Sequence, residues 1–269
     1  MKPGKFLPYI ILIIGAIVMI FPFIWMLSTS LKAPMDIFNL NIIPESPTLA
    51  NYIRILEESM FVKWFLNSLI IAVITTISVI FFDTLVGYII AKFNFFGKKL
   101  LFILILSTLM VPVEMLIIPW YMMSSELGWT DTYWGILFPG LMTGFGVFLM
   151  KQFMEQIPED LLNAARIDGM NEFSIFFKIA VPQVWPAISA LGIFSFLSNW
   201  NAFLWPLIVT ESPGMRTLPV GLSYFSSGEA ESQWHLIMTG ATISVIPLIL
   251  VFIFLQRHII KGIVLTGMK

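Results

Sequence analysis

Six long apolar stretches dominate this chain, at residues 8–27, 64–91, 100–123, 133–150, 184–208 and 236–255. A helix needs roughly 20 consecutive apolar residues to cross the hydrocarbon core of a bilayer. The stretches are about that long, and they run continuously rather than alternating, which argues against the strands of a membrane barrel. The fourth is the shortest and contains Pro139, Gly140, Gly144 and Gly146, so it is expected to be bent or closely packed. The chain is 58% hydrophobic with 12% charged side chains, against about 25% charged in soluble domains. Such a chain cannot hide its apolar surface in one globular core, and lipid is the solvent that accommodates it. The expected fold is all-α: a polytopic membrane protein with six transmembrane helices, forming a single domain over residues 1–269.

Lys2 and Lys5 precede the first apolar run, as in a secretory signal. The run from 6 to 27 is longer than the roughly 7–15 residues of a signal core, and no small-residue cleavage site follows. It is expected to be a retained span. Orientation follows from Lys and Arg near the span ends. With the N-terminus inside, Lys2, Lys5, Lys92, Lys98, Lys99, Lys151, Arg166, Lys178, Arg257, Lys261 and Lys269 lie on the cytoplasmic side. Only Lys32, Arg54, Lys63 and Arg216 lie opposite, so the 15 basic residues divide eleven to four. Both termini are expected in the cytoplasm.

No basic block points to nucleic acid, and the net charge of −1 says nothing for it. Cysteine is absent, which excludes disulfides and thiolate metal sites. His235 and His258 have no metal-ligand spacing, and no Gly-rich Lys/Ser phosphate loop occurs. In the outer loop, Leu49, Tyr52, Ile53 and Leu56 form a helical stripe opened by Thr48 as the expected N-cap, which suggests an interfacial helix on the outer leaflet.

The loop at 151–182 is the informative one. Pro158 suits the first turn of a helix, Glu159 and Asp160 favour its positive end, and Gly169 is placed to cap its C-terminus in a left-handed conformation. A second helix is expected from Asn171 to just before Pro182. A compact helical hairpin with a small-residue face can lie in a groove on another protein; it can equally pack on its own bundle.

The segment Asn163-Ala164-Ala165, with Gly169, Ile179, Val181 and Pro182, resembles the EAA loop of bacterial ABC importer permeases. Ala164-Ala165-Arg166-Ile167-Asp168-Gly169 is similar to the form of the sugar branch. The likeness covers nearly the whole chain and is strongest to the shorter, second permease of maltose-type pairs. Val86-Gly87-Tyr88, Pro112 and Glu114 ahead of Ile118-Pro119, Trp200-Asn201 with Phe203 and Pro206-Leu207, and the 262–269 tail all look like that family. Asn163 stands where the family has Glu; asparagine can hydrogen-bond but is not expected to provide a charge-assisted pair.

The resemblance implies a type I permease fold with a cytoplasmic coupling helix, in the inner membrane of a bacterium or archaeon. It implies a homologous second permease, two cytoplasmic ATPase subunits and an extracytoplasmic sugar-binding protein as partners. ATP and magnesium would belong to the ATPase, and this chain would hold no cofactor and perform no catalysis. Asn163, Ala164, Ala165, Asp168 and Gly169 become the expected coupling residues.

Two carboxylates, Asp83 and Glu114, interrupt the apolar spans. Each costs about 2.5–3.5 kcal/mol at mid-membrane, so neither should face lipid. Helix anchoring is the favoured reading for Asp83; for Glu114, anchoring and a place in the translocation pathway stand level. Asn199, Trp200 and Asn201 combine amide and aromatic chemistry suited to sugar hydroxyls and ring C–H faces, although aromatic residues also collect at span ends. The competing functions are an importer of a glycerol phosphate ester or polyol, a secondary transporter using Asp83 and Glu114, and a membrane enzyme. No internal repeat supports the second, and no nucleophile–base constellation supports the third.

Overall fold

The computed structural model describes residues 7–226 and 233–266, with the side chains of 8–226 and 233–256. Lys2, Lys5 and Lys269, the side chains of Arg257, His258 and Lys261, and the end of the 262–269 tail lie outside the described residues. The described residues form helices and no strand. Three helices are long and apolar enough to cross a membrane unbroken: α1 (Leu7–Ser30), α3 (Phe61–Lys92) and α14 (Trp234–Thr266). The second stretch thus extends slightly beyond 64–91 at both ends.

The remaining apolar stretches are broken. The third, expected as one span over 100–123, is α4 (Lys98–Thr108) and α5 (Val113–Glu126), turned 98° from each other. Pro112 is the cause: it lacks an N–H, and it biases Val111 away from helical backbone. The fourth is α6 (Tyr133–Leu137), a 3₁₀ turn at Phe138–Gly140 and α7 (Gly144–Glu155), bent by 42° as its proline and glycines suggest. The fifth, expected over 184–208, ends as a helix at Trp200: α11 (Trp185–Trp200) is followed by a separate short α12 (Leu204–Val209).

The chain divides into two compact units, Met1–Phe65 with Thr217–Pro247, and Leu66–Arg216 with Leu248–Lys269. In the first, the short α2 (Ala50–Glu57) is tied to the end of α1 through Asn51, whose amide donates to the carbonyls of Ser30 at 2.9 Å and Lys32 at 2.8 Å. Leu49, not Thr48, is the N-cap of α2; the Thr48 hydroxyl accepts from the Ala50 N–H instead. Leu49, Ile53 and Leu56 are exposed while Asn51 and Ile55 are buried, so the apolar stripe faces away from the protein. In the same unit α13 (Leu218–Ser223) packs Gly221 directly beneath the Trp64 ring, where any side chain would collide.

In the second unit α3 and α7 cross closely. A Cβ on Gly87 would sit 2.8 Å from the Met150 Cβ and the Lys151 nitrogen, so glycine is required by contact. Asp83, fully buried on α3, accepts from the Thr143 N–H at 3.1 Å and the Thr143 hydroxyl at 2.6 Å. Thr143 in turn caps α7, accepting from the Gly146 N–H at 3.0 Å. A carboxylate at the positive end of a helix is a favourable arrangement, and it anchors the break in the fourth span. The core of this unit is built by Val79, Tyr88, Met150, Leu162, Ile175 and Leu191, among others.

Candidate functional site

Two features are built on the second unit, a helical hairpin at one end of α3 and a cavity along α11. The hairpin begins with α8 (Glu159–Ile167). Pro158 is its N-cap rather than part of the first turn, and Glu159 and Asp160 occupy that turn as expected. Its end is a two-bond Schellman cap: the Met170 N–H donates to the Ala165 carbonyl and the Gly169 N–H to the Arg166 carbonyl, both at 3.0 Å. Gly169 has φ +80°, the left-handed geometry that glycine adopts without Cβ strain.

The amphipathic spacing of α8 sorts the candidate coupling residues. Leu162 and Ala165 point into the core, whereas Asn163, Ala164, Asp168 and Gly169 are exposed, next to Ile167 at 86% exposure. The alanine pair is therefore split: Ala165 holds the helix down and Ala164 faces out. Asn171 caps α9 (Glu172–Ile175) by accepting from the Ser174 N–H at 2.8 Å. A wide π turn at Phe176–Ala180 follows, and α10 (Val181–Gln183) carries the helix past Pro182, where it was expected to stop. Pro182 withholds only one donor near a helix start, which a turn tolerates. The 172–183 stretch lies at 81° to α11, so it crosses the end of that span rather than lengthening it.

Arg166 locks the hairpin. Its guanidinium donates to Glu172 Oε1 at 2.7 Å and to Asn163 Oδ1 at 2.7 Å, while the Tyr88 hydroxyl on α3 donates to Glu172 Oε2 at 3.3 Å. The hydrogen bond from Arg166 holds the Glu172 carboxyl below its ordinary value against the opposing effect of burial. Asn163 was expected to take no part in a charge-assisted bond. It does take part, because the charge comes from the Arg166 donor one helical turn away. Lys92, at the end of α3, adds a second tie by donating to the Ile157 carbonyl at 2.6 Å.

The cavity measures 650 Å³ and is lined by Trp120, Thr143, Ser195, Ser198, Asn199 and Trp205, among others. Among the described residues no charged side chain lines it. Trp120, Phe138 and Trp205 pack edge to face with centroids 5.7–6.3 Å apart, and the Trp205 indole N–H donates to the Gly135 carbonyl at 3.1 Å. Of the four candidate pathway residues, only Asn199 lines the cavity. Trp200 is buried and stacked on Phe196 at 5.8 Å. Asn201 is exposed at the end of α11, with its amide bonded to the Leu197 carbonyl. Glu114 is exposed in the first turn of α5, beside the cavity-lining Val113.

Sequence reasoning overlooked Ser195 and Ser198, although Ser195, Ser198, Asn199 and Ala202 recur at i, i+3, i+4 and i+7, the signature of one helix face. Trp120 and Trp205 carry no local signal; only tertiary packing brings them to the cavity.

Residues 83–264 match the family model described as the binding-protein-dependent transport system inner membrane component. An arabinooligosaccharide transport system permease protein of Bacillus subtilis is 36% identical over 255 residues, covering 93% of this chain and 90% of that protein. An sn-glycerol-3-phosphate transport system permease protein of Brucella abortus is 32% identical over 274 residues, covering 96% and 95%. A solved chain of a bacterial ABC transporter involved in the import of the acidic polysaccharide alginate superposes with a TM-score of 0.84 at 22% identity, covering 94% of this chain and 95% of that one, and shows the shared fold. The chain belongs to the family of binding-protein-dependent transport system inner membrane components, the permease subunits of ABC importers.

Proposed function

We propose that this permease subunit passes a sugar, of the oligosaccharide class, into the cytoplasm by ATP-driven alternating access. The observation that carries this reading is the chemistry of the cavity: hydroxyl, amide and indole groups set among apolar residues such as Val113, Phe145 and Phe194, with no charged residue in the lining among the described residues. Such walls hydrogen-bond hydroxyls and stack on sugar C–H faces. A phosphate ester would enter them without a cation to offset its desolvation, which is expensive. The name of the Bacillus subtilis relative supports the oligosaccharide class, and that of the Brucella abortus relative supports the alternative of a glycerol phosphate ester. The uncharged lining favours the sugar.

The hairpin is the coupling element in this reading, with both termini on the same cytoplasmic side. Asn163, Ala164, Asp168 and Gly169 present the face that meets the ATPase, and Ala165 fixes its angle. Two ATPase subunits bind ATP and magnesium, a homologous permease completes the pathway, and an extracytoplasmic binding protein delivers the sugar. The eleven-to-four division of basic residues supports this orientation. The assembled transporter in proteoliposomes, with its binding protein, should take up labelled arabino- or malto-oligosaccharide when ATP is enclosed. Uptake of sn-glycerol-3-phosphate with none of the oligosaccharides would reverse the choice.

A further inference from the structure

A second groove lies apart from both features, where the end of α3, the start of α4 and the end of α7 meet. It encloses 730 Å³. Its apolar lining is formed by Ile90, Phe95, Leu100, Phe102 and Ile103, and its charged lining by Lys98, Lys99, Lys151 and Glu155. Lys151 is already paired: its ammonium lies 2.8 Å from Glu155 Oε1 and 4.4 Å from the centre of the Phe102 ring. Among the described residues no carboxylate pairs with Lys98 or Lys99. They open α4, whose N-cap Gly97 has φ +81° and offers no side-chain cap, so the helix dipole adds to their positive field. Beside them Phe96 is fully exposed, and Leu100 and Ile103 on α4 are largely so.

We propose that this groove binds an anionic phospholipid, with its phosphate between Lys98 and Lys99 and an acyl chain along Ile90, Phe102 and Ile103. A soluble phosphate would use the lysines and leave the apolar wall wet. An acidic protein segment would bury its charges against Phe95, Phe96 and Leu100. A phospholipid matches both parts in the observed order, charge at the end of the spans and hydrocarbon along them. Basic pockets between membrane helices are suited to such headgroups. The site lies on the same end of α3 as the hairpin, because Lys92 of α3 contacts Ile157. A lipid held there would brace the α4–α7 packing, in which Phe102 stacks on Phe148.

The test is native mass spectrometry of the assembled transporter, titrated in detergent with dioleoylphosphatidylglycerol or dioleoylphosphatidylcholine. The intact complex should retain phosphatidylglycerol in preference to phosphatidylcholine. The double variant Lys98→Gln/Lys99→Gln should bind phosphatidylglycerol roughly 30-fold more weakly, the sum of two surface lysine contributions. Lys98→Arg/Lys99→Arg should restore binding, which separates lost charge from lost folding, and Lys63→Gln should change nothing. Equal retention by the Gln variant overturns the proposal. So does an equal loss of phosphatidylcholine, or displacement of the lipid by millimolar inorganic phosphate.

Discussion

The ammonium of Lys92 on α3 donates to the carbonyl of Ile157 at 2.6 Å, joining a membrane-spanning helix to the residue before the Pro158–Ile167 segment. The Lys92 side chain is 3% exposed, with Glu159 at 3.7 Å as its further partner. These two contacts tie the hairpin to the end of α3. Replacing Lys92 by Ala leaves a buried carbonyl without its donor, a loss of about 1–3 kcal/mol. The Lys92→Ala complex should hydrolyse ATP with transport reduced several-fold more than hydrolysis, read as the ratio of sugar uptake to phosphate release.

Gly169 is the second mechanical point. Left-handed backbone costs an ordinary L-residue about 1–2 kcal/mol, and a β-branched one more. Gly169→Val should insert into the membrane normally while losing most transport and most ATPase assembly, whereas Gly169→Asn should retain a measurable share of both. Co-purification of the ATPase with each variant checks this.

Asp83 separates two accounts of a buried carboxylate. As an anchor it needs only an acceptor for the Thr143 N–H and hydroxyl. Asp83→Asn keeps an acceptor and should retain most transport, while Asp83→Leu strands both donors and should lower stability by about 1–3 kcal/mol for each. Thermal unfolding and uptake measured on both variants decide it; loss of transport in the Asn variant with unchanged stability would indicate proton carriage instead.

Asn199 and Asn201 are two positions apart and face differently. Asn199 lines the cavity and Asn201 does not. Asn199→Ala should raise the sugar concentration for half-maximal uptake by roughly 10-fold, the worth of one or two neutral hydrogen bonds. Asn201→Ala should leave it within about twofold. Uptake kinetics across a sugar series is the measurement.

The hairpin was legible because its signals are local: Pro158 before two acids, Gly169 at the cap and Asn171 three residues before Ser174 each act within one turn. The outer spans were legible because hydropathy integrates over 20 residues. Hydropathy reports length but not direction, so the 98° turn at Pro112 was hidden inside a continuous apolar run. The cavity was read too coarsely for a geometric reason. Consecutive residues on a helix diverge by about 100°, so Asn199, Trp200 and Asn201 could not share a face, and the stripe through Ser195, Ser198 and Asn199 was the better guide. The bond between Asn163 and Arg166 is an i, i+3 pair that spacing allows; its consequence, a lock completed by Glu172 and Tyr88, depends on tertiary placement.

On the proposed function, this chain moves solute only when a separate ATPase drives its hairpin. The direct measurement is solute uptake into proteoliposomes containing the permease pair and binding protein, with and without the ATPase subunits and enclosed ATP. Uptake should require both ATPase and ATP, and should fall to a small remainder with Gly169→Val while the permease remains in the membrane. Uptake by the permease alone under a proton gradient, unaffected by ATP, would contradict the account.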